Sequence, residues 1–265
     1  MTIKDLTIFI NSSDGFEDCW TPFFTLWSKY APSILHYRVL LNTENKYFLF
    51  EGLNITSTRV SAENRCKLTW SECLNEGLNK VATPYVLYLQ EDYFLKNIIE
   101  ADVIRRALQH LNEFNLDVVY LNHWGPQWKN APSNENNFVD IPSNSKYLLS
   151  TQAAIWRLET LRSLIRPWEN GWSYEKFGTI RMRHKGVGAV QYGGNAVDYI
   201  YTGIIKGRWL PECIDLFNQE KIDVDFSRRG FYREAGRLKT RYEVVRKLIE
   251  NPISFFRSCL SLAKS

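Results

Sequence analysis

The stretch Tyr85-Val-Leu-Tyr-Leu-Gln-Glu-Asp-Tyr-Phe-Leu95 runs five near-continuous apolar residues straight into Gln90, Glu91 and Asp92. With Val86, Leu87 and Leu89 at its heart, it reads as a buried strand at the centre of a sheet. Why such a strand should end on two adjacent acids is a question of function. In open α/β sheets ligands bind beyond the carboxyl ends of the strands, where loops converge. Acids placed there face a ligand, and a carboxylate at mid-cleft can coordinate a hard divalent cation that bridges phosphate oxygens. The plainer alternative is that Glu91 and Asp92 cap the next helix.

Working outward, Trp70, Leu74, Leu78 and Val81 lie at i, i+4, i+8 and i+11 on a helix that Thr83-Pro84 ends. Further upstream, Leu6–Ile10 reads as a strand, and Asn11-Ser-Ser-Asp-Gly15 supplies turn and capping residues. Trp20, Phe23, Phe24 and Trp27 then share one helical face up to Ala31-Pro32, and His36–Leu41 reads as a second strand ending at Asn42-Thr43-Glu44. Downstream, Ile104, Ala107, Leu108 and Leu111 mark a helix, Val118–Leu121 a strand, and residues 125–145 a loop rich in Asn, Pro and Ser. Strands alternating with helices imply an α/β fold, a Rossmann-like, mostly parallel sheet with helices on both faces.

The chain of 265 residues, 45% hydrophobic, is long enough to bury a full core. Its start has no basic region followed by an apolar run, and no window approaches a bilayer span, so the sequence predicts a protein neither secreted nor transmembrane. Five scattered cysteines without a CxxC pair argue against a disulfide framework or a zinc knuckle and for a reducing cytoplasm. The net charge of +4 is uneven: Arg228–Ser265 holds ten Lys/Arg against three Glu, a net +7, which leaves the first 227 residues at −3. The sequence therefore divides into a main domain, 1–227, and a basic tail, 228–265. No GxGxxG or Walker-type loop is present, which disfavours dinucleotide oxidoreductases and P-loop enzymes.

The whole run from Trp70 to Leu95, WSECLNEGLNKVATPYVLYLQEDYFL, resembles the segment of GT-A-fold glycosyltransferases in which a helix leads into a strand ending in the metal-binding DxD motif. It is most similar to the family-2-like bacterial enzymes of capsule and O-antigen polysaccharide loci, whose version reads approximately LLDDYFL. Gln90 stands where that pattern has its first acid, and Glu91, Asp92, Tyr93, Phe94 and Leu95 keep it. A second block, Ser150-Thr-Gln-Ala-Ala-Ile-Trp-Arg157 followed by Arg166-Pro-Trp-Glu-Asn-Gly-Trp-Ser-Tyr-Glu175, is similar to the family's later SLQPAIW and PWEFE segments. The resemblance covers most of residues 1–210, with specific motifs only at 70–95 and 150–175.

The resemblance implies a GT-A glycosyltransferase that moves a sugar from a nucleotide-sugar donor to a hydroxyl of a surface polysaccharide or lipid-linked glycan. Asp92 would be the ligand of a divalent cation, Mn or Mg, and of the diphosphate; Gln90, offering only a dipole, leaves less negative charge there. Glu175 would be the general base of an inverting transfer, which needs a carboxylate to take the acceptor proton; Glu169 is the rival base. Gln152 and Trp156 would form a sugar-contacting wall, with core packing the alternative for Trp156. Asn11, Ser12, Asp14, Asn42 and Glu44 would hydrogen-bond base and ribose, though each is also an ordinary turn residue. His184, in RMRHKGVG, would be a third metal ligand or diphosphate contact, with a solvated loop histidine the alternative, and Lys206 and Arg208 would neutralise the leaving diphosphate, with a plain basic turn the alternative.

Beyond Arg228, Leu238, Tyr242, Val245 and Ile249 recur with helical spacing, and Asn251-Pro252 separates them from ISFFRSCLSLAKS. Short, basic, amphipathic segments of this kind can lie in an anionic membrane interface at the inner leaflet, or pack on their own domain or on a dimer partner. No nucleic-acid-binding module accompanies the charge. Two rivals stand beside the transferase: a non-catalytic glycan-binding or scaffolding protein, which Gln90 invites, and a nucleotidyltransferase, which the acidic NSSDGFED loop disfavours.

Overall fold

The computed structural model of the chain describes residues 5–62, 67–122, 138–190, 196–233 and 252–262. Its centre is one eight-stranded sheet. The strands are β1 (Leu6–Asn11), β2 (Val39–Asn42), β3 (Ile55–Ser57), β4 (Tyr85–Gln90), β5 (Val118–Tyr120), β6 (Phe138–Asp140), β7 (Ala154–Arg157) and β8 (Val187–Val190), in the spatial order β3-β2-β1-β4-β7-β5-β8-β6. β3, β2, β1 and β4 are parallel, β5 and β8 run the same way, and β7 and β6 are reversed. The carboxyl ends of the six co-directional strands therefore share one edge of the sheet.

The quoted stretch is strand β4, fourth of eight, and it is buried from Tyr85 to Leu89. Alternate side chains enter opposite cores. Ile8, Ile10, Leu87 and Leu89 pack with Trp20, Phe23, Phe24 and Trp27 of α1 (Glu17–Tyr30) and with Ile104 and Leu111 of α3 (Ala101–Glu113). Phe9, Val86 and Tyr88 pack with Leu74 and Leu78 of α2 (Trp70–Leu78), Leu161 of α4 (Leu158–Ser163) and Tyr174 of α5 (Gly171–Arg181) on the other face. Helices on both faces explain why β1 and β4 are apolar without alternation.

The chain leaves β1 for β2 and β3, then returns across the sheet to β4 on the opposite flank of β1. β1 and β4 thus bracket a switch point, the place where such sheets open a crevice, and their last residues, Asn11 and Gln90, are register partners.

Three expectations shift, and one is untested. The second strand begins at Val39, because a 3-10 turn at Pro32–Ile34 and a bend occupy the residues before it. Helix α2 ends at Leu78; its start is fixed by a capping box in which Thr69 and Glu72 satisfy each other's backbone N–H. Part of the expected loop at 125–145 is an edge strand, β6, paired antiparallel to β8. The expected helix through Leu238–Ile249 lies outside the described residues. A hairpin of β9 (Ile204–Ile205) and β10 (Arg208–Trp209) follows the sheet, then α6 (Glu212–Gln219) and α7 (Pro252–Leu262).

The inner face of α7 packs on its own chain: Ser254 and Ser258 donate to the Trp168 carbonyl (2.6 Å) and to Glu169 Oε1 (2.9 Å), and Phe255 meets Phe177 with ring centroids 5.5 Å apart. Its outer face leaves Ile253, Phe256 and Leu260 exposed. No helix of the described residues is long and apolar enough to cross a membrane.

Candidate active site

A cleft of about 240 Å³ opens between the carboxyl ends of β1 and β4, lined by Asn11 and Ser12 from the first and by Gln90, Glu91 and Asp92 from the second. Phe16, Trp70, Thr202 and Ile204 close it. Asp92 is 4% exposed and Glu91 7%. Neither acid caps a helix: α3 does not begin until Ala101 and has no side-chain cap.

Asp92 is held from a distant segment. Its carbonyl accepts the Gly203 N–H (2.9 Å) and its Oδ2 the Ile204 N–H (3.1 Å). Gly203 is required for this approach, since a Cβ there would overlap the Phe94 ring. The other oxygen, Asp92 Oδ1, is buried with no hydrogen-bond partner. Burial raises the Asp92 carboxyl to about 6, against the pull of the Ile204 N–H and the Arg229 charge. Burial first, then the charge of Asp92, push Glu91 well above its ordinary range. Two adjacent carboxylates in a low-dielectric site cannot both ionise cheaply.

An orphaned carboxylate oxygen beside a second buried acid fits a hard divalent cation, whose charge would reverse that penalty. Among the described residues no group of three or more His, Cys, Asp or Glu side chains could hold a metal. A cation at Asp92 and Glu91 would therefore complete its shell with water and phosphate oxygens, the usual state of Mg²⁺ at phosphate-bearing substrates.

Arg229 braces the same loop. It donates to Asp18 through Nε (2.6 Å) and Nη2 (2.5 Å) and to the Gly15 carbonyl (2.6 Å), with its guanidinium over the Phe16 ring. Asp14 and Glu44 join the loops after β1 and β2: Asp14 accepts the Glu44 and Asn45 N–H groups, both at 3.0 Å, and its own N–H donates to Glu44 (3.0 Å). Asn42 is 1% exposed, donating to Asn11 Oδ1 (3.1 Å) and the Cys73 carbonyl (3.2 Å) while accepting from Thr58. Of the five residues expected to hold base and ribose, Asn11 and Ser12 line the cleft, and Asp14, Asn42 and Glu44 shape the loops beneath and beside it.

Glu175 projects from the second turn of α5, whose N-terminus is capped by Asn170 and Ser173. Its Oε1 accepts the Thr151 N–H (2.7 Å) and hydroxyl (2.8 Å). Burial raises its pKa, partly offset by those bonds. It lines a separate hollow of about 410 Å³ with Lys146, Tyr147, Trp172, Lys176 and Thr179. Asp92 and Glu175 therefore open into different cavities joined by a short relay: Tyr93, next to Asp92 in the chain, donates its hydroxyl to the Thr151 carbonyl (2.8 Å), and Thr151 binds Glu175. Gln152 is half-buried beside this relay, accepting from Tyr199 (2.6 Å), whose ring stacks on Tyr93 at 4.6 Å.

Three expected roles fail. Trp156 is 1% exposed, in register with Val86 and Val118, and packs on Tyr120 in the core, so it forms no sugar wall. His184 is an exposed residue just ahead of β8, at the amino edge of the sheet opposite the cleft, and cannot join Asp92 on one metal. Glu169 is 1% exposed and bidentate with Arg181 (2.6 and 2.9 Å), a structural ion pair that leaves no free base. Lys206 and Arg208 are exposed at the β9–β10 turn, where Lys206 and Gly207 both have positive φ (52° and 76°), the geometry of a two-residue hairpin. That hairpin starts at Ile204, the residue that clamps Asp92.

No protein-family model and no curated protein sequence matches the chain. Solved structures do match. S. aureus TarS 1-349 aligns with a TM-score of 0.51 at 15% identity, over 83% of this chain and 66% of its own. The same protein in complex with UDP gives 0.51 at 14% identity, over 83% and 66%. The fold is GT-A. Glucosyl-3-phosphoglycerate synthase from Mycobacterium tuberculosis, in complex with Mn²⁺, UDP and glucosyl-3-phosphoglycerate, aligns at 0.49 with 12% identity, over 75% of this chain and 72% of its own. The chain thus spans 66% of the length of the TarS 1-349 chain it matches.

Proposed function

We propose that the protein is a glycosyltransferase that moves a sugar from a nucleotide-sugar donor to a glycan hydroxyl with inversion. The observation that carries this is the buried, unpaired Asp92 Oδ1 beside Glu91 at the β1/β4 switch point, on a fold shared with a protein crystallised with UDP. Base and ribose would lie along Asn11 and Ser12, between Phe16 and Trp70, with the diphosphate at Asp92. A divalent cation, Mn or Mg, bound there would supply positive charge for the leaving diphosphate. Lys206 and Arg208 would add positive charge from the hairpin.

Glu175 takes the acceptor proton as the acceptor oxygen bonds to the anomeric carbon; the bond from that carbon to the diphosphate oxygen breaks, and the nucleoside diphosphate departs with its electron pair. Gln152, whose Oε1 accepts from Tyr199 beside the relay, would orient the sugar. The acceptor would be a surface polysaccharide of the capsule, O-antigen or lipopolysaccharide kind, or its lipid-linked precursor. The outward stripe of Ile253, Phe256 and Leu260 beside Arg257, within a segment of net charge +7, supports work at an anionic inner-membrane face.

A thermal-shift screen of nucleotide-sugars with and without Mn²⁺ tests the proposal, since a ligand bound only by the folded state raises the melting temperature. Stabilisation by one nucleotide class, dependent on the cation and lost in Asp92→Ala, is the expected result. Glycan binding indifferent to every nucleotide and to Mn²⁺ would instead establish a non-catalytic glycan-binding protein.

A further inference from the structure

The hollow at Glu175 differs in charge from the donor cleft. Where the cleft presents Glu91 and Asp92, the hollow sets two lysines, Lys146 and Lys176, around a single acid whose Oε1 is already engaged by Thr151. Among the described residues no carboxylate forms an ion pair with either lysine. Lys176 is held by rings instead: its Nζ lies 4.9 Å from the Trp172 centroid, 5.6 Å from Phe255 and 5.9 Å from Phe177. An ammonium positioned by aromatic faces keeps its whole charge for a ligand, whereas one paired with a carboxylate does not.

The hollow also has the size and walls of a ligand site. Its volume of about 410 Å³ falls within the range of roughly 300–1,000 Å³ usual for small-molecule pockets. Trp172 and Tyr147 line it, with Lys176 over the Trp172 ring. Phe255 reaches the site from α7, so the tail helix helps to hold Lys176 in place.

We propose that this hollow is an acceptor subsite selective for a sugar hydroxyl that neighbours an anionic substituent, a phosphate or a uronate carboxylate. Lys146 and Lys176 bind the anion, and Glu175 receives the hydroxyl proton. The assignment rests on the transferase reading for Glu175 and adds the acceptor's charge to it.

The test is a titration of the full chain, followed by tryptophan fluorescence and saturation-transfer NMR, with methyl glucoside, methyl glucuronide and glucose 6-phosphate. At least one anionic probe binds more tightly than the neutral one, by about two- to thirty-fold for two partly exposed charge contacts, and the preference shrinks as salt rises. Lys146→Gln and Lys176→Gln each weaken the anionic probe about two- to five-fold and leave methyl glucoside unchanged; Lys176→Arg restores the preference. Trp172→Ala removes a ring that positions Lys176 and weakens the anionic probes more than methyl glucoside. Preference for only one anionic probe identifies the substituent and supports the assignment. Equal binding of neutral and anionic probes, no binding by any probe, or a preference untouched by both lysine variants overturns it. Nucleotide stabilisation with Mn²⁺ is measured on the same variants: its absence alongside an intact anionic preference defeats the transferase reading and with it the acceptor role, leaving an anion-selective glycan site, whereas nucleotide stabilisation without an anionic preference defeats this assignment alone.

Discussion

Asp92→Asn should make the metal-free protein more stable and reduce its response to pH, with buried Glu91 leaving a residual fall. Asp92 holds its proton up to about 6 in the folded chain, against 3.8 without the fold. Its folded pKa is raised, so between those two values the native state keeps a proton the unfolded chain has released, and stability falls as pH rises. At about 1.4 kcal/mol per pH unit the loss by neutral pH is roughly 3 kcal/mol. Asparagine removes the charge, and its carbonyl can still accept the Ile204 N–H. An amide N–H₂ takes the place of the orphaned Oδ1, and any donor left unsatisfied returns roughly 1–3 kcal/mol of the gain. The pH slope is therefore the cleaner signal than the offset. Urea unfolding of both proteins in chelator from pH 4 to pH 8 should show the wild type losing stability through about pH 6, with the gap to Asp92→Asn opening from near zero. At neutral pH the gain corresponds to several degrees of melting temperature, at roughly 2–4 °C per kcal/mol for a chain of this size. A wild type whose stability does not fall between pH 4 and pH 7, or an equal fall in the variant, would refute the reasoning.

Three further outcomes follow from the same geometry. Gly203→Ala forces a Cβ against Phe94 and Asp92, and should cost about 1–3 kcal/mol in chemical denaturation and abolish cation-dependent nucleotide stabilisation. Arg181→Ala leaves Glu169 charged and unpaired at 0% side-chain exposure, a loss of about 3–5 kcal/mol; because Ser258 binds the same carboxylate, limited proteolysis should then release α7 first. Glu175→Gln should slow sugar transfer by about 10²–10⁴-fold. Burial raises Glu175 above the ordinary carboxyl value of 4.5, so the wild-type rate should drop as pH falls through that raised value, and the variant should lack this limb.

What could be read from the sequence is what local pattern encodes. The i, i+3, i+4, i+7 face of α1 and the apolar run of β4 ending on acids need no partner to be recognised, and both stand where expected. Failures begin where position depends on pairing. Gln152 and Trp156 are four residues apart, and on a strand rising about 3.3 Å per residue that spacing takes Trp156 some 13 Å from the sheet's ligand edge into the core. β7 is inserted antiparallel between β4 and β5, a register no periodicity reports. His184 fell to the same blindness, since a loop's motif does not say at which edge of the sheet the loop lies. The Asp92 clamp joins residues 112 positions apart, and its one local signal was Gly203.

The two cavities have opposite electrostatic designs, and the relay between them explains how both are kept in place. The cleft proposed for the donor concentrates buried carboxylates whose ionisation costs stability in the absence of a cation, and Asp92 is held in place from two sides. Ile204 and Gly203 hold Asp92 from one side, and the Tyr93 ring, stacked on Tyr199 and hydrogen-bonded to Thr151, holds it from the other. Thr151 is also the residue that fixes Glu175. Tyr93→Phe would delete one hydroxyl in neither cavity, yet it would loosen Thr151 and with it Glu175, the proposed base. A rate loss in that variant, with cation-dependent nucleotide binding intact, is the outcome that separates this coupling from two sites that merely share a fold.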